Sequence, residues 1–168
     1  MEIEIDITRN DYAHFNKYYF LHKKLKRTLF LIFVSSLVFP FLVSEGSFNV
    51  SLYLRDAGFF AAFFILFYTI IILLTFKWIG RLPSKNGIIL GKKIIRLTEE
   101  GLVEESENST TLHKWKAIKS LESDKKYLFI FIDSIAAHII PKRSFQNTAE
   151  EEAFAKEIAS RLQNITTL

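Results

Sequence analysis

Histidines are the first residues in this 168-residue chain to consider for acid–base or metal chemistry. The chain has four of them: His14, His22, His113 and His138. Their spacing matches neither H-x-x-x-H nor H-E-x-x-H, the patterns that place two ligands on one helix face. A metal site would need ligands that converge from separate elements, so we expect core histidines or histidines paired with other side chains.

Five glutamates between residues 99 and 107 form an acidic cluster. Neighbouring Glu104 and Glu105 would point to opposite faces of a strand, so they cannot work as a catalytic carboxylate pair, and we expect a solvated surface. The chain has no cysteine, which excludes disulfides, thiolate ligands and cysteine nucleophiles. Its six glycines are dispersed and form no phosphate-binding loop. The sequence therefore predicts a protein that is not an enzyme and that holds no cofactor and no metal.

Two apolar runs dominate the first half of the chain. Residues 57–76 contain no charged side chain, and twenty helical residues span ~30 Å, the thickness of the hydrocarbon core of a bilayer. The run at residues 28–43 gives ~24 Å and needs its flanking residues to complete a crossing. We predict transmembrane helices over 28–43 and 57–78. For the first run, a half-inserted amphipathic helix or a cleaved signal peptide remain as alternatives.

Basic residues flank this predicted hairpin at both of its chain ends. They are Lys23, Lys24, Lys26 and Arg27 before the first helix, and Lys77 and Arg81 after the second. The connecting loop, residues 44–56, has only Arg55 as a base. The positive-inside rule then places both termini in the cytoplasm and this loop outside. Beyond Pro83 acids and bases nearly balance, which disfavours a nucleic-acid-binding domain.

The polar parts of the chain predict an α+β arrangement around the hairpin. Residues 1–27 begin with alternating isoleucines and acids, which indicate a half-buried strand, and continue as a juxtamembrane helix. Residues 79–168 contain six short strand patterns, at 88–98, 102–106, 110–114, 117–123, 127–133 and 136–140. An amphipathic helix follows at 148–162. The N-terminal strand would bring the count to seven, in an antiparallel sheet or partial barrel capped by one helix.

Several local sequences resemble those of the YcxB-like family of bacterial membrane proteins. They are Gly101-Leu102, Trp115-Lys116-Ala117-Ile118, the strand 127–132 and the segment 140–145, which reads IPKRSF. The resemblance implies a two-helix hairpin in the bacterial cytoplasmic membrane and a C-terminal pleckstrin-homology-like (PH-like) domain. It implies no established biochemical activity.

Four residues of the C-terminal half stand out as candidates for specific roles. Trp115 is expected to pack in the core with its indole N–H bonded near a turn, and a ligand platform is the alternative. Pro141 is assigned a structural role. Lys142 and Arg143 are expected to contact the anionic membrane surface or to form salt bridges with Glu150–Glu152. Phosphoinositide binding is the alternative for these two cations.

Taken together, the sequence predicts a non-enzymatic, membrane-tethered interaction or regulatory module. Its expected partners are the lipid bilayer and a protein that the sequence does not identify, with homo-oligomers left open and nucleic acid excluded. The alternative is a small transport or channel component that acts as an oligomer of the hairpin. That alternative has little support, because ion paths need polar groups and the apolar runs contain few.

Overall fold

The computed structural model describes residues 1–43, 49–84 and 87–166 of an α+β protein with two apolar helices. The chain divides into two compact units. The sheet unit consists of Met1–Phe15 and Arg81–Leu168, and the helical unit consists of Asn16–Gly80. The sheet unit is thus built from the two ends of the chain.

Seven strands form two antiparallel sheets in the sheet unit. They are β1 (Glu2–Ile7), β2 (Gly91–Leu97), β3 (Gly101–Ser106), β4 (Ser109–Lys114), β5 (Ser120–Ser123), β6 (Tyr127–Phe131) and β7 (Ala137–Pro141). One sheet has the order β1-β2-β3-β4 and the other the order β5-β6-β7. Within the described residues the two sheets do not join into a closed barrel. The predicted strand patterns are therefore confirmed, while the arrangement is two separate sheets.

Strand β1 joins a sheet whose other strands follow the apolar helices in sequence. Its isoleucines Ile3, Ile5 and Ile7 are buried, and the acids between them are exposed. It pairs antiparallel with β2, where Ile3 lies opposite Ile95. The alternation seen in the sequence thus makes one face of the sheet apolar, and the N-terminal segment is a structural part of the C-terminal fold.

Helices near both ends of the chain contribute side chains to the core around the second sheet. All five residues of β6 are buried. Helix α1 (Arg9–Tyr19) places Phe15 with its ring 5.6 Å from that of Phe129. The last helix, α4 (Thr148–Thr166), buries Phe154 and Ile158, which are 1% and 0% exposed. A core of aromatic and aliphatic side chains fixes these elements around β6.

Gly101 in β3 cannot carry a side chain. A Cβ at this position would lie 2.1 Å from the carbonyl oxygen of His113 on β4, an approach that no real Cβ makes. The close approach of the two backbones explains the glycine that begins the Gly101-Leu102 motif.

The helical unit is an antiparallel hairpin of two long apolar helices. Helix α1 continues through a π-helical segment, Phe20–Lys24, into α2 (Leu25–Val43), and α3 spans Val50–Ile79. The side chain of Asn49 accepts a hydrogen bond from the Leu52 N–H, so it caps α3. This cap starts the helix within the predicted loop 44–56 and shortens that loop, whose residues 44–48 lie outside the described part of the chain.

Small, polar and aromatic residues line the contact between α2 and α3, where the rings of Phe39 and Phe60 lie 4.8 Å apart. Ala57 of α3 is buried, and α2 buries Ser36, whose hydroxyl donates to the Phe33 carbonyl at 2.8 Å. The Tyr53 hydroxyl donates to the Leu37 carbonyl at 2.7 Å and so links the two helices. A Cβ added at Gly58 would meet nothing within 4 Å. Of the small-residue positions on α3, Ala57 therefore lies in the hairpin contact and Gly58 does not.

The remaining surface of the hairpin is apolar. Both helices are long and apolar enough to cross a membrane, over Arg9–Val43 and Val50–Ile79. Only 17% of the most apolar stretch of the first helix is buried, and 0% of that of the second. The core helix of a water-soluble protein would bury such a stretch against other elements.

Candidate functional site

The first charged cluster of the sheet unit is built at the start of helix α1. Thr8 caps the helix, because its hydroxyl accepts a hydrogen bond from the Asp11 N–H at 3.3 Å. The Asp11 carboxylate in turn accepts hydrogen bonds from the N–H and the hydroxyl of Thr8, at 2.8 and 2.7 Å. This reciprocal capping box orients the carboxylate of Asp11, which is only 2% exposed.

Two residues from distant parts of the sequence complete this Asp11 cluster, which comprises Thr8, Asp11, Tyr127 and Arg143. The Arg143 guanidinium donates to both Asp11 carboxylate oxygens, at 2.8 and 2.7 Å. The Tyr127 hydroxyl donates to the same carboxylate at 2.6 Å. Arg143 also donates to the Asp6 carbonyl at 3.0 Å. Arg143 is thereby hydrogen-bonded to both β1 and α1.

The protonation of the Asp11 cluster is fixed at neutral pH. Burial acts to raise the pKa of Asp11, but hydrogen bonds from Arg143, Tyr127 and Thr8 outweigh it and hold that pKa well below its usual range. Burial and the Asp11 carboxylate raise the pKa of Tyr127 to about 12. A carboxylate with five hydrogen bonds and a phenol that stays protonated are suited to holding structure together rather than to proton transfer.

The structure corrects one expectation for the adjacent cations. The Lys142 ammonium lies 2.8 Å from the Glu151 carboxylate, in agreement with the predicted salt bridge to Glu150–Glu152. Arg143 does not pair with Glu150–Glu152 but with Asp11. The reason is local: the two cations occupy a 3-10 turn, Lys142–Ser144, which directs neighbouring side chains to different elements.

A second charged cluster lies between the two sheets, and we call Lys93, Glu104, His113 and His138 the Glu104 cluster. The Lys93 ammonium and His138 Nδ1 bind the two Glu104 carboxylate oxygens, at 2.9 and 2.6 Å. The rings of His113 and His138 lie 4.8 Å apart. Glu104 on β3 is therefore paired and largely buried, so the prediction of a solvated acid is wrong at this position.

Burial and hydrogen bonding together determine the pKa values in the Glu104 cluster. Burial acts to raise the pKa of Glu104, but hydrogen bonds from His138 and Lys93 outweigh it and lower that pKa to about 2. Burial, with His138 nearby, lowers the pKa of His113. Since a carboxylate only accepts, His138 Nδ1 carries the proton of their shared bond. His138 Nε2 is buried and has no hydrogen-bond partner among the described residues.

Neither cluster provides a recognisable metal centre. Within the described ranges, no group of three or more histidine, aspartate or glutamate side chains could hold a metal ion. The Glu104 carboxylate is already used by Lys93 and His138. His14 is paired with Asp124 at 2.6 Å, so it has the paired environment expected from the sequence.

The basic residues that flank the apolar helices gather at one end of the hairpin. Lys23 and Lys24 lie in the π-helical segment, Lys26 and Arg27 in the first turn of α2, and Lys77 in the last turn of α3. Phe20 and Phe76, with ring centroids 5.6 Å apart, show that these helix ends are adjacent. Arg81 follows α3 in the chain and is exposed. The opposite end of the hairpin has Arg55 beside Asp56.

Trp115 and Pro141 both have buried positions in the sheet unit. The Trp115 indole N–H donates a hydrogen bond to the carbonyl oxygen of Thr98, the residue after β2, at 3.0 Å. The Arg161 guanidinium of α4 lies 6.0 Å from the indole ring. Pro141 ends β7 opposite Tyr127. Trp115 therefore joins the turn after β2 to the last helix, which is a packing role.

Residues 97–158 match the YcxB-like protein family. The YcxB-like segment runs from the end of β2 into α4 and contains Glu104, Tyr127, His138 and Arg143. No curated protein and no solved structure matches this chain. The apolar helices lie outside the YcxB-like segment, as do Asp11 and Lys93.

Both charged clusters therefore join the YcxB-like segment to residues outside it. Sequence reasoning missed Asp11 and Lys93 as partners, although each has a local signal. Thr8-x-x-Asp11 is a capping-box pattern. Lys93 occupies the same face of β2 as the buried Ile95 and Leu97, where an unpaired lysine would be costly. A cation at that position indicates a buried acid opposite.

Proposed function

We propose that this chain is a non-enzymatic, membrane-tethered interaction module whose helical hairpin holds a PH-like domain at the inner leaflet. The observation that carries the proposal is the surface of the hairpin. Large apolar side chains point outward along both helices, for example Phe41, Leu42 and Leu66, which are 66%, 71% and 62% exposed. Water disfavours a continuous apolar surface of this kind, whereas lipid tails solvate it.

The pairing of β1 with β2 supports an even number of crossings. The two strands lie on either side of the hairpin in sequence, yet they share one sheet. A strand pair can form only if both strands are on the same side of the bilayer, so the hairpin must return to the side on which it began. The cluster of bases at the Lys24 and Lys77 end of the hairpin favours the cytoplasmic side.

The number and order of the elements support a PH-like architecture for the sheet unit. Two antiparallel sheets with seven strands are followed by a C-terminal helix, the element count of that fold. In this chain the first strand comes from before the hairpin. The domain would thus be fastened to the membrane helices at both of its chain junctions.

The charged clusters support an interaction role over a catalytic one. The Asp11 carboxylate and the Glu104 carboxylate are both saturated by partners from their own unit. In the hairpin, the polar groups of Ser36 and Tyr53 bond to helix carbonyls, which gives little support to a channel. Tethering would instead act through effective concentration: domains confined to a thin layer beside the bilayer bind weak partners as if these were at millimolar concentration.

The proposal is tested by expressing the full chain in bacteria, fractionating the cells and crosslinking before purification. We expect the protein in the membrane pellet after a carbonate wash, and a specific set of crosslinked proteins. A matched control is the hairpin alone, residues 16–80, which should lose those proteins that contact the sheet unit. Protein in the carbonate supernatant would refute the tether, and identical captures by both chains would refute the interaction module.

A further inference from the structure

We propose that two copies of this chain pair edge to edge through strand β4, antiparallel and with Leu112 on the two-fold axis. Each four-stranded sheet would continue into that of the second copy. The inference rests on the proposed membrane tether, which supplies the local concentration, and it names the partner as a second copy of the same chain.

The open side of β4 can be located from the hydrogen-bond register. The Trp115 N–H donates to the Glu100 carbonyl at 3.2 Å, so Trp115 is bonded toward β3. In an antiparallel pair this direction alternates along the strand, and therefore His113 and Thr111 also bond toward β3. The N–H and C=O groups of Thr110, Leu112 and Lys114 then point outward. Among the described residues no strand pairs with this side of β4.

Strand β4 lacks the devices that normally protect a sheet edge. Such edges carry a proline, a bulge or a central charge. The sequence of β4 is STTLHK, its register with β3 has no bulge, and its one full charge, Lys114, lies at its end. The exposed Leu112 occupies the middle of the strand. At the opposite edge of the sheet, β1 carries three acids, Glu2, Glu4 and Asp6, and charged side chains of this kind normally protect a sheet edge from pairing.

Charge and apolar contact favour one register for the self-pairing. An axis at a neighbouring residue would place Leu112 opposite polar Thr110 or Lys114, whereas an axis at Leu112 pairs the two exposed leucines. The axis at Leu112 also places Thr110 opposite Lys114 of the second copy, and the two lysines lie ~14 Å apart along the strands. Glu105 neighbours Thr110 in the sheet, so the second copy's lysine extends toward a carboxylate. An axis at Lys114 would instead place two ammonium groups face to face.

The size of this interface explains why the membrane matters. The register supplies about six main-chain hydrogen bonds and one leucine pair, well below a standard protein interface of roughly 1,600 Å². Such a contact is weak between freely diffusing domains. Confinement of both copies to one bilayer raises their effective concentration and favours the pair.

Single cysteines test the register cleanly, because the chain has no native cysteine. The full-length Leu112→Cys variant, in the membranes of expressing cells, is treated with a short thiol-specific crosslinker. We expect a crosslinked dimer, and we expect none for the control Glu4→Cys on the far edge. Adding Thr110→Pro removes an outward N–H without touching the ladder to β3, and should reduce dimer yield about tenfold, whereas Thr110→Val should retain it.

Each outcome separates this inference from the proposed function. Membrane-bound protein that gives no Leu112→Cys dimer overturns the β4 pairing and leaves the tether standing. The β4 pairing would also be overturned if residue 112 crosslinked only to other proteins, because the edge would then bind a different chain. A dimer that survives Thr110→Pro at full yield contradicts strand pairing. Protein absent from the membrane fraction refutes the proposed function itself.

Discussion

Replacing Arg143 by alanine should destabilise the sheet unit by far more than removing an ordinary surface cation. The change deletes two hydrogen bonds to Asp11, whose carboxylate is 2% exposed and cannot gain water in exchange. A hydrogen bond to a charged group contributes roughly 1.5–3 kcal/mol. Because the Arg143 side chain is itself 53% exposed, solvent screens part of this, and we expect a total loss of about 2 kcal/mol in the free energy of unfolding.

The loss can be measured by thermal unfolding of the full-length protein in detergent. For a unit of roughly a hundred residues, about 2 kcal/mol lowers the Tm by roughly 8–16 °C. The chain has two tryptophans, so the Trp78→Phe background makes the buried Trp115 the sole fluorescent reporter of the sheet unit. The control is Lys119→Ala, which breaks a salt bridge to Asp133 whose partners are 59% and 57% exposed. It should change stability by less than about 0.5 kcal/mol.

A double-mutant cycle shows whether the effect passes through Asp11. In the Asp11→Asn background, Arg143→Ala should have a much smaller effect, with a coupling energy of at least about 1 kcal/mol. Equal destabilisation by Arg143→Ala and Lys119→Ala would show that Arg143 contributes no more than an ordinary surface cation. Strict additivity of the Asp11 and Arg143 changes would show that the effect does not pass through Asp11.

Three further predictions concern the other contacts. Because folding lowers the pKa of Glu104, its contribution to the free energy of unfolding is complete above its ordinary pKa of 4.5 and is lost as the pH falls toward 2. Glu104→Gln should therefore flatten a plot of Tm against pH in this range. Folding also lowers the pKa of His113, so the unfolded chain binds a proton at this residue more readily than the folded chain. The Tm should therefore begin to fall as the pH drops below 6.5, and His113→Gln should remove this decrease. Ile5→Ala, at a position 2% exposed, should lower the free energy of unfolding by about 2–5 kcal/mol, measured by the same fluorescence assay, and a loss under about 0.5 kcal/mol would contradict β1 as a core strand.

Local patterns in the sequence were sufficient to predict the elements of this fold. The alternation of isoleucine and acid at residues 2–8 predicted β1, and the structure confirms the strand, which pairs with β2. The periodicity after Thr148 predicted α4, which extends to Thr166. These signals are strong because each element buries one regular face, and the period of that face is determined by the backbone geometry.

The pairs that join distant elements could not be read from the same patterns. Arg143 was expected at the membrane surface or beside Glu150–Glu152, because the sequence shows which charges are close along the chain and not which side chains meet in space. Asp11 is separated from it by the entire hairpin. Glu104 was placed on the surface for the same reason: its burial depends on Lys93 and His138, which come from two other strands. Only the packing of the sheets brings these groups together.

The most direct test of the account is the sidedness of three single-cysteine variants in intact cells, probed with a membrane-impermeant maleimide. Asn49→Cys lies between the two apolar helices, while Glu4→Cys and Lys119→Cys lie in the two chain segments that form the sheet unit. If both chain ends are cytoplasmic, only Asn49→Cys is labelled from outside, and the other two react only after the cells are permeabilised. Labelling of Glu4→Cys or Lys119→Cys in intact cells, or protection of Asn49→Cys, would contradict a hairpin that returns both ends to the cytoplasm.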